Sequence, residues 1–145
     1  MADLRQLLGD LGRAHVQLDA AVNLRLRGEF GLQLVLLEVM TVMAETESCR
    51  VQDLAARLGM SNGGASKLVD RVEAAGHYRR LPNPQDRRSC VPVLTITGRQ
   101  TFERASQAAD EELERLFGAC LSAAQTTNLA ATLRDLLTAG SRPPT

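Results

Sequence analysis

The chain has 145 residues, 44% hydrophobic and 23% charged, with 17 Lys and Arg balancing 17 Asp and Glu. These values describe one ordinary globular domain able to bury a core. They argue against an overall basic nucleic-acid binder, whose pI would lie above about 9; here it is 6.7. Aromatic residues amount to 3% with no Trp, too few for the stacking platforms that hold single strands.

Leu4, Leu7, Leu8, Leu11, Leu18 and Val22 recur at helical spacing, predicting a first helix that "RGEFG" interrupts. Leu32 to Met43 is apolar nearly all round and predicts a helix buried on most sides. After the polar turn "ETESC", Val51, Leu54, Ala55 and Leu58 mark a short helix that stops at Gly59. Ser61 caps the next helix, whose apolar side is Ala65, Leu68, Val69 and Val72 and which ends at Gly76. "HYRRL" and "CVPVL" read as strands around the tip "NPQDRRS". Thr97 is the expected cap of a long helix striped by Phe102, Ala105, Ala109, Leu113, Leu116 and Phe117. Ser122 and Gln125 form a capping box for a last helix carrying Leu129, Leu133, Leu136 and Leu137, closed by Gly140 and a Pro-rich tail. No apolar run approaches the ~20 residues of a membrane span, and the N-terminus lacks a signal-peptide layout, so a cytoplasmic protein with no membrane partner is expected.

Charge is uneven along the chain. From Asn62 to Ser89 six cations oppose three acids, a net of +3, whereas Thr101 to Leu116 carries a net of −3. Cys49, Cys90 and Cys120 are odd in number and widely spaced, which argues against a disulfide framework. With only His15 and His77 beside them, no zinc-ligand spacing exists. No phosphate loop, nucleophile elbow or paired-carboxylate motif is present. Neither an enzyme nor a cofactor is expected.

Two short helices joined by "GMS" fit a helix-turn-helix, and a hairpin directly after it makes a winged version. "VQDLAARLGMSNGGASKLVDRVEAAGHYRRLPNPQDRRSCVPVLTITGR", Val51 to Arg99, resembles the winged-helix core of the MarR family of bacterial transcription regulators. Ala55, Gly59, Ala65 and Leu68 fall at its helix-turn-helix spacing. "SKLVDRVEAAG" matches its recognition-helix ending, "RRLPNPQDRRS" its wing with the Asp-x-Arg element, and "LTITGR" the opening of its next helix. His77 and Tyr78 depart from the apolar pair usual after the glycine. No cysteine lies in the first helix, where peroxide-sensing members carry theirs.

The resemblance implies a mainly α fold with a small β-hairpin wing. One domain would span residues 1–145, with a winged helix-turn-helix over 32–99 and dimerisation helices at 1–28 and 100–140. It implies a homodimer on double-stranded DNA bearing a palindromic operator, with a small-molecule effector releasing a repressor. A recognition helix reads base edges from its N-terminal part. Asn62, Ser66, Lys67 and Arg71 are therefore candidates, Asn suited to adenine and Lys or Arg to guanine. Ser61 leaves backbone N–H groups open at the helix start, and Gly63 and Gly64 would let the backbone come close. Asp70 and Glu73 should face away from phosphates. On the wing, Arg80 supports the hairpin or contacts backbone, Arg87 and Arg88 sit near the tip, and Arg88 is the choice for minor-groove insertion. Asp86 is expected to hold Arg88 in place. Two other readings stay open: a thiol-based redox-responsive regulator, with Arg50 beside Cys49 the one basic neighbour, and a dimeric protein-interaction module that has lost DNA binding.

Overall fold

The computed structural model describes residues 1–47 and 49–140; the Pro-rich tail expected to follow Gly140 lies outside the described residues. In chain order the elements are α1 (Leu4–Phe30), α2 (Leu34–Glu45), α3 (Val51–Leu58), α4 (Asn62–Ala74), β1 (Tyr78–Asn83), β2 (Asp86–Leu94), α5 (Ile96–Cys120) and α6 (Ala123–Gly140). The fold is mainly helical with one antiparallel hairpin as its wing.

Helix α1 does not stop at "RGEFG". It runs through Phe30 and turns at Gly31, whose φ of 62° permits the left-handed cap and whose N–H reaches the Arg27 carbonyl. Phe30 packs against the core and lies beneath the Arg104 guanidinium at 5.6 Å. That packing outweighs the weak helix propensity of Gly28. Helix α2 supplies the centre of the core, with Leu36, Leu37, Val39, Met40, Val42 and Met43 all buried. Leu54 and Ala55 of α3, Ala65, Leu68, Val69 and Val72 of α4, and Ala105, Ala108 and Ala109 of α5 close around it.

The start of α5 also differs from the sequence expectation. Thr95, not Thr97, is the cap: its hydroxyl accepts the Gly98 N–H at 2.9 Å and donates to the Gly76 carbonyl at 2.9 Å. The Thr95 N–H meanwhile reaches the His77 carbonyl at 3.0 Å. These bonds press α5 against the turn after α4. A Cβ on Gly98 would lie 1.8 Å from the His77 carbonyl oxygen, so only glycine fits there. The Ser122–Gln125 box forms as expected, with reciprocal bonds of 2.9 and 3.2 Å opening α6.

The core covers only part of the chain. Within α1, burial is complete at Val22 and Leu26, but Leu4, Leu7, Leu8, Val16 and Leu24 stand exposed. No residue of α6 is buried, and Leu129, Leu136 and Leu137 are exposed. An apolar cavity of about 560 Å³ opens between these helices, lined among others by Leu11, Leu18, Leu116, Phe117, Leu129 and Leu133.

Candidate nucleic-acid interface

The turn between α3 and α4 is short because Gly59 takes a φ of 64° and ends α3 at once. Two residues later the Ser61 hydroxyl accepts the Gly64 N–H at 3.1 Å and starts α4. With Ala65, Leu68, Val69 and Val72 turned into the core, helical periodicity sends Gly63, Lys67 and Ala74 to the opposite side. Asn62 and Lys67 are exposed and Ser66 is half-buried. Arg71 is exposed as well, and its guanidinium donates to the Gln33 side chain just ahead of α2.

The wing differs from its sequence reading in where the turn falls. Asn83 pairs with Asp86, so only Pro84 and Gln85 form the tip, and "DRRS" belongs to β2. Arg87 and Arg88 thus lie within β2, at the irregularity where the register shifts between the Asn83–Asp86 and Pro82–Cys90 pairs. The Asp86 carboxylate accepts the backbone N–H of Arg88 at 3.0 Å. This bond orders the Arg88 backbone. Among the described residues Lys67, Arg87 and Arg88 make no ion pair.

Arg80 does support the hairpin, and through side chains. Its Nη2 lies 2.8 Å from the Asp70 carboxylate, its Nε donates to the Tyr78 hydroxyl at 2.9 Å, and the Glu73 carboxylate sits 3.3 Å away. The Tyr78 hydroxyl in turn donates to Glu73 at 3.0 Å. Burial pushes the Tyr78 phenol above its ordinary pKa, so it stays protonated and able to donate. The two acids of α4 are thereby neutralised against the wing. Tyr78 is the bracing residue that sequence reasoning did not assign; its signal was the polar-tipped aromatic standing where an apolar residue is usual. Exposed ion pairs contribute about 0–1 kcal/mol each, so this brace orients the wing more than it stabilises the fold.

Ser66, Arg80, Asp86 and Arg88 come together around one cleft of about 470 Å³ between α3, α4 and the wing. Asn62, Gly63, Gly64 and Lys67 lie along the helix beside it, and Arg71 points toward α2. Cys90 also lines the cleft and is exposed, as is Cys120, whereas Cys49 is buried. Burial raises the Cys49 thiol pKa, the Asp53 charge adds to this, and the cation opposing both is Arg57 rather than the adjacent Arg50. That is the reverse of a reactive thiolate site. Among the described residues no group of His, Cys, Asp or Glu is placed to hold a metal ion. Nor is any of their helices long and apolar enough to cross a membrane.

A helix-turn-helix braced to a basic wing defines a winged-helix protein. The sequence model of the MarR family matches residues 32–90, the region just described. The multiple antibiotic resistance protein MarR of Escherichia coli is 29% identical over 80 residues, which cover 55% of this chain and 56% of that one. CouR from Rhodococcus jostii RHA1, solved with p-coumaroyl-CoA bound, is 25% identical with a TM-score of 0.78 over 100% of this chain and 99% of CouR. A MarR family transcriptional regulator from Streptomyces coelicolor, solved in complex with DNA, shares the fold at 21% identity and a TM-score of 0.83, covering 96% of this chain and 88% of that one. Through its winged-helix region, residues 32–90, the chain is similar to the MarR family of transcription regulators. The alignments with curated relatives such as the Escherichia coli protein span about half of those proteins' length.

Proposed function

We propose that this chain is a homodimeric, sequence-specific transcription regulator of double-stranded DNA, a repressor released from a palindromic operator by a small-molecule effector. The observation that carries the reading is the grouping of cations without an ion pair among the described residues: Lys67 on the outward side of α4, with Arg87 and Arg88 on the wing, while Asp70 and Glu73 are engaged by Arg80. Such an arrangement suits a docking with α4 in the major groove and the wing at the neighbouring minor groove. Net neutrality of the chain is compatible with this, because Asn62 to Ser89 carries a net of +3 while Thr101 to Leu116 carries a net of −3.

Dimerisation is supported by the uncovered leucines of α1 and α6. Each gains roughly 1.5–3 kcal/mol on full burial, and exposed apolar surface of that extent marks an interface. A two-fold arrangement would set two α4 helices about one DNA turn apart and call for a palindromic site. The effector is supported by likeness to CouR with its bound ligand.

The test is a gel shift on the DNA flanking the gene, together with light scattering of the full chain. Retarded, competitor-resistant complexes and a dimer mass are expected. A folded monomer, or a dimer without affinity for any duplex, would reject the proposal, the second outcome in favour of a protein-interaction module.

A further inference from the structure

We propose that Gly63 is the point where the recognition helix comes closest to DNA, and that its bare backbone sets how deeply the helix seats; this rests on the DNA-binding reading above. Within residues 32–99 the free protein itself calls for glycine at three of the other four positions and crowds a side chain at the fourth. Gly59 and Gly76 turn with φ of 64° and 78°, and Gly98 abuts the His77 carbonyl. A Cβ on Gly64 would crowd the Ser61 hydroxyl at 3.2 Å and the Met60 methyl at 3.3 Å. Gly63 has no such reason: its φ is not positive, and a Cβ there would meet nothing within 4 Å. Yet it sits inside the first turn of α4, where glycine is among the least favourable helix residues.

Its place on the helix shows what the absent side chain would face. Gly63 lies opposite the buried residues, with Lys67 one turn further along the same exposed side. A helical Cβ tilts toward the N-terminus, so a methyl group at 63 would stand out ahead of Lys67. The flanking readers, Asn62 and Ser66, are short and reach base edges only if the helix backbone lies close to them. Lys67 is long and reaches DNA from further out. Gly63 is therefore a specificity-determining position: filling it lifts Asn62 and Ser66 from the bases and leaves the electrostatic attachment largely in place.

The experiment uses the full-length protein. A duplex is selected from a randomised library by wild type, and wild type, Gly63→Ala and Gly63→Leu are compared on that duplex, on a random-sequence duplex of equal length, and in thermal melting. Ala and Leu are better helix formers than Gly, so both variants should melt at or above wild type. Affinity for the selected duplex should fall about tenfold or more for Ala, the scale of a lost base contact, and further for Leu, while random-duplex affinity changes little. Wild-type affinity for the selected duplex, an equal loss on both duplexes, or a lowered melting temperature would each overturn the assignment. Lys67→Ala separates the two levels of the argument. If it weakens binding while Gly63→Ala does not, only the Gly63 role fails. If wild type enriches no duplex at all, the DNA-binding reading fails and takes this inference with it.

Discussion

Replacing Asp86 by Ala tests two opposed effects of one carboxylate. Simple charge counting says that removing an acid from a DNA-facing wing tightens binding. A carboxylate about 7 Å from a phosphate repels it by roughly 0.6 kcal/mol in water, and a Debye length near 8 Å at physiological salt reduces that to about 0.25 kcal/mol. Against this stands the 3.0 Å bond from the Arg88 N–H to Asp86, at the first residues of β2. A hydrogen bond of this kind contributes about 0.5–1.5 kcal/mol. Its loss also frees backbone that must be reordered when Arg88 enters a groove, at roughly 1 kcal/mol or more per residue. Ordering therefore exceeds repulsion, and Asp86→Ala should bind its operator about three- to tenfold more weakly, a net ~0.7–1.4 kcal/mol. Asp86→Asn keeps an acceptor oxygen and removes the charge, so it should bind as well as wild type or slightly better. Fluorescence anisotropy at near-physiological salt reads both variants. Tighter binding by Asp86→Ala would show that the carboxylate acts by repulsion and refute the ordering role.

Other expectations follow from the same geometry. Lys67→Ala or Arg71→Ala should weaken operator binding without altering the melting temperature; a base contact costs ~1–3 kcal/mol and relaxes one position, a phosphate contact weakens all sequences and lowers the salt slope by about one, and unchanged affinity in both would remove α4 as the reading head. Gly98→Ala places a methyl against the His77 carbonyl and should lower stability by at least roughly 1–3 kcal/mol in urea unfolding, whereas unchanged stability would mean that α5 shifts freely. Burial lowers the His77 pKa from its ordinary 6.5, and its buried Nδ1 has no partner among the described residues. The unfolded chain then binds the proton more readily, so the stability from neutral His77 is present above pH 6.5 and is lost as pH falls below it. Urea midpoints of His77→Phe should show a weaker decline than wild type over that interval, and parallel curves would exclude His77 as the cause.

The local punctuation of this chain was legible in its sequence because each signal is completed within one turn of helix. Ser61 with Gly64, Ser122 with Gln125, and the stop at Gly59 need partners no more than four residues away. Apolar periodicity likewise marked the buried residues of α4, and the nearly all-round apolar run from Leu32 to Met43 marked α2 as the buried helix. What the tertiary structure decided depends on groups far apart in the chain. Thr95 prevails over Thr97 as cap because its hydroxyl and N–H also find carbonyls at Gly76 and His77, across the wing. Helix α1 passes through "RGEFG" because Phe30 has the core and Arg104 to pack on. Arg80, one of five arginines from Arg71 to Arg88, braces the wing only because the hairpin folds back to set it against Asp70, Glu73 and Tyr78. Residue type offers an arginine many partners; packing selects the one that can be reached.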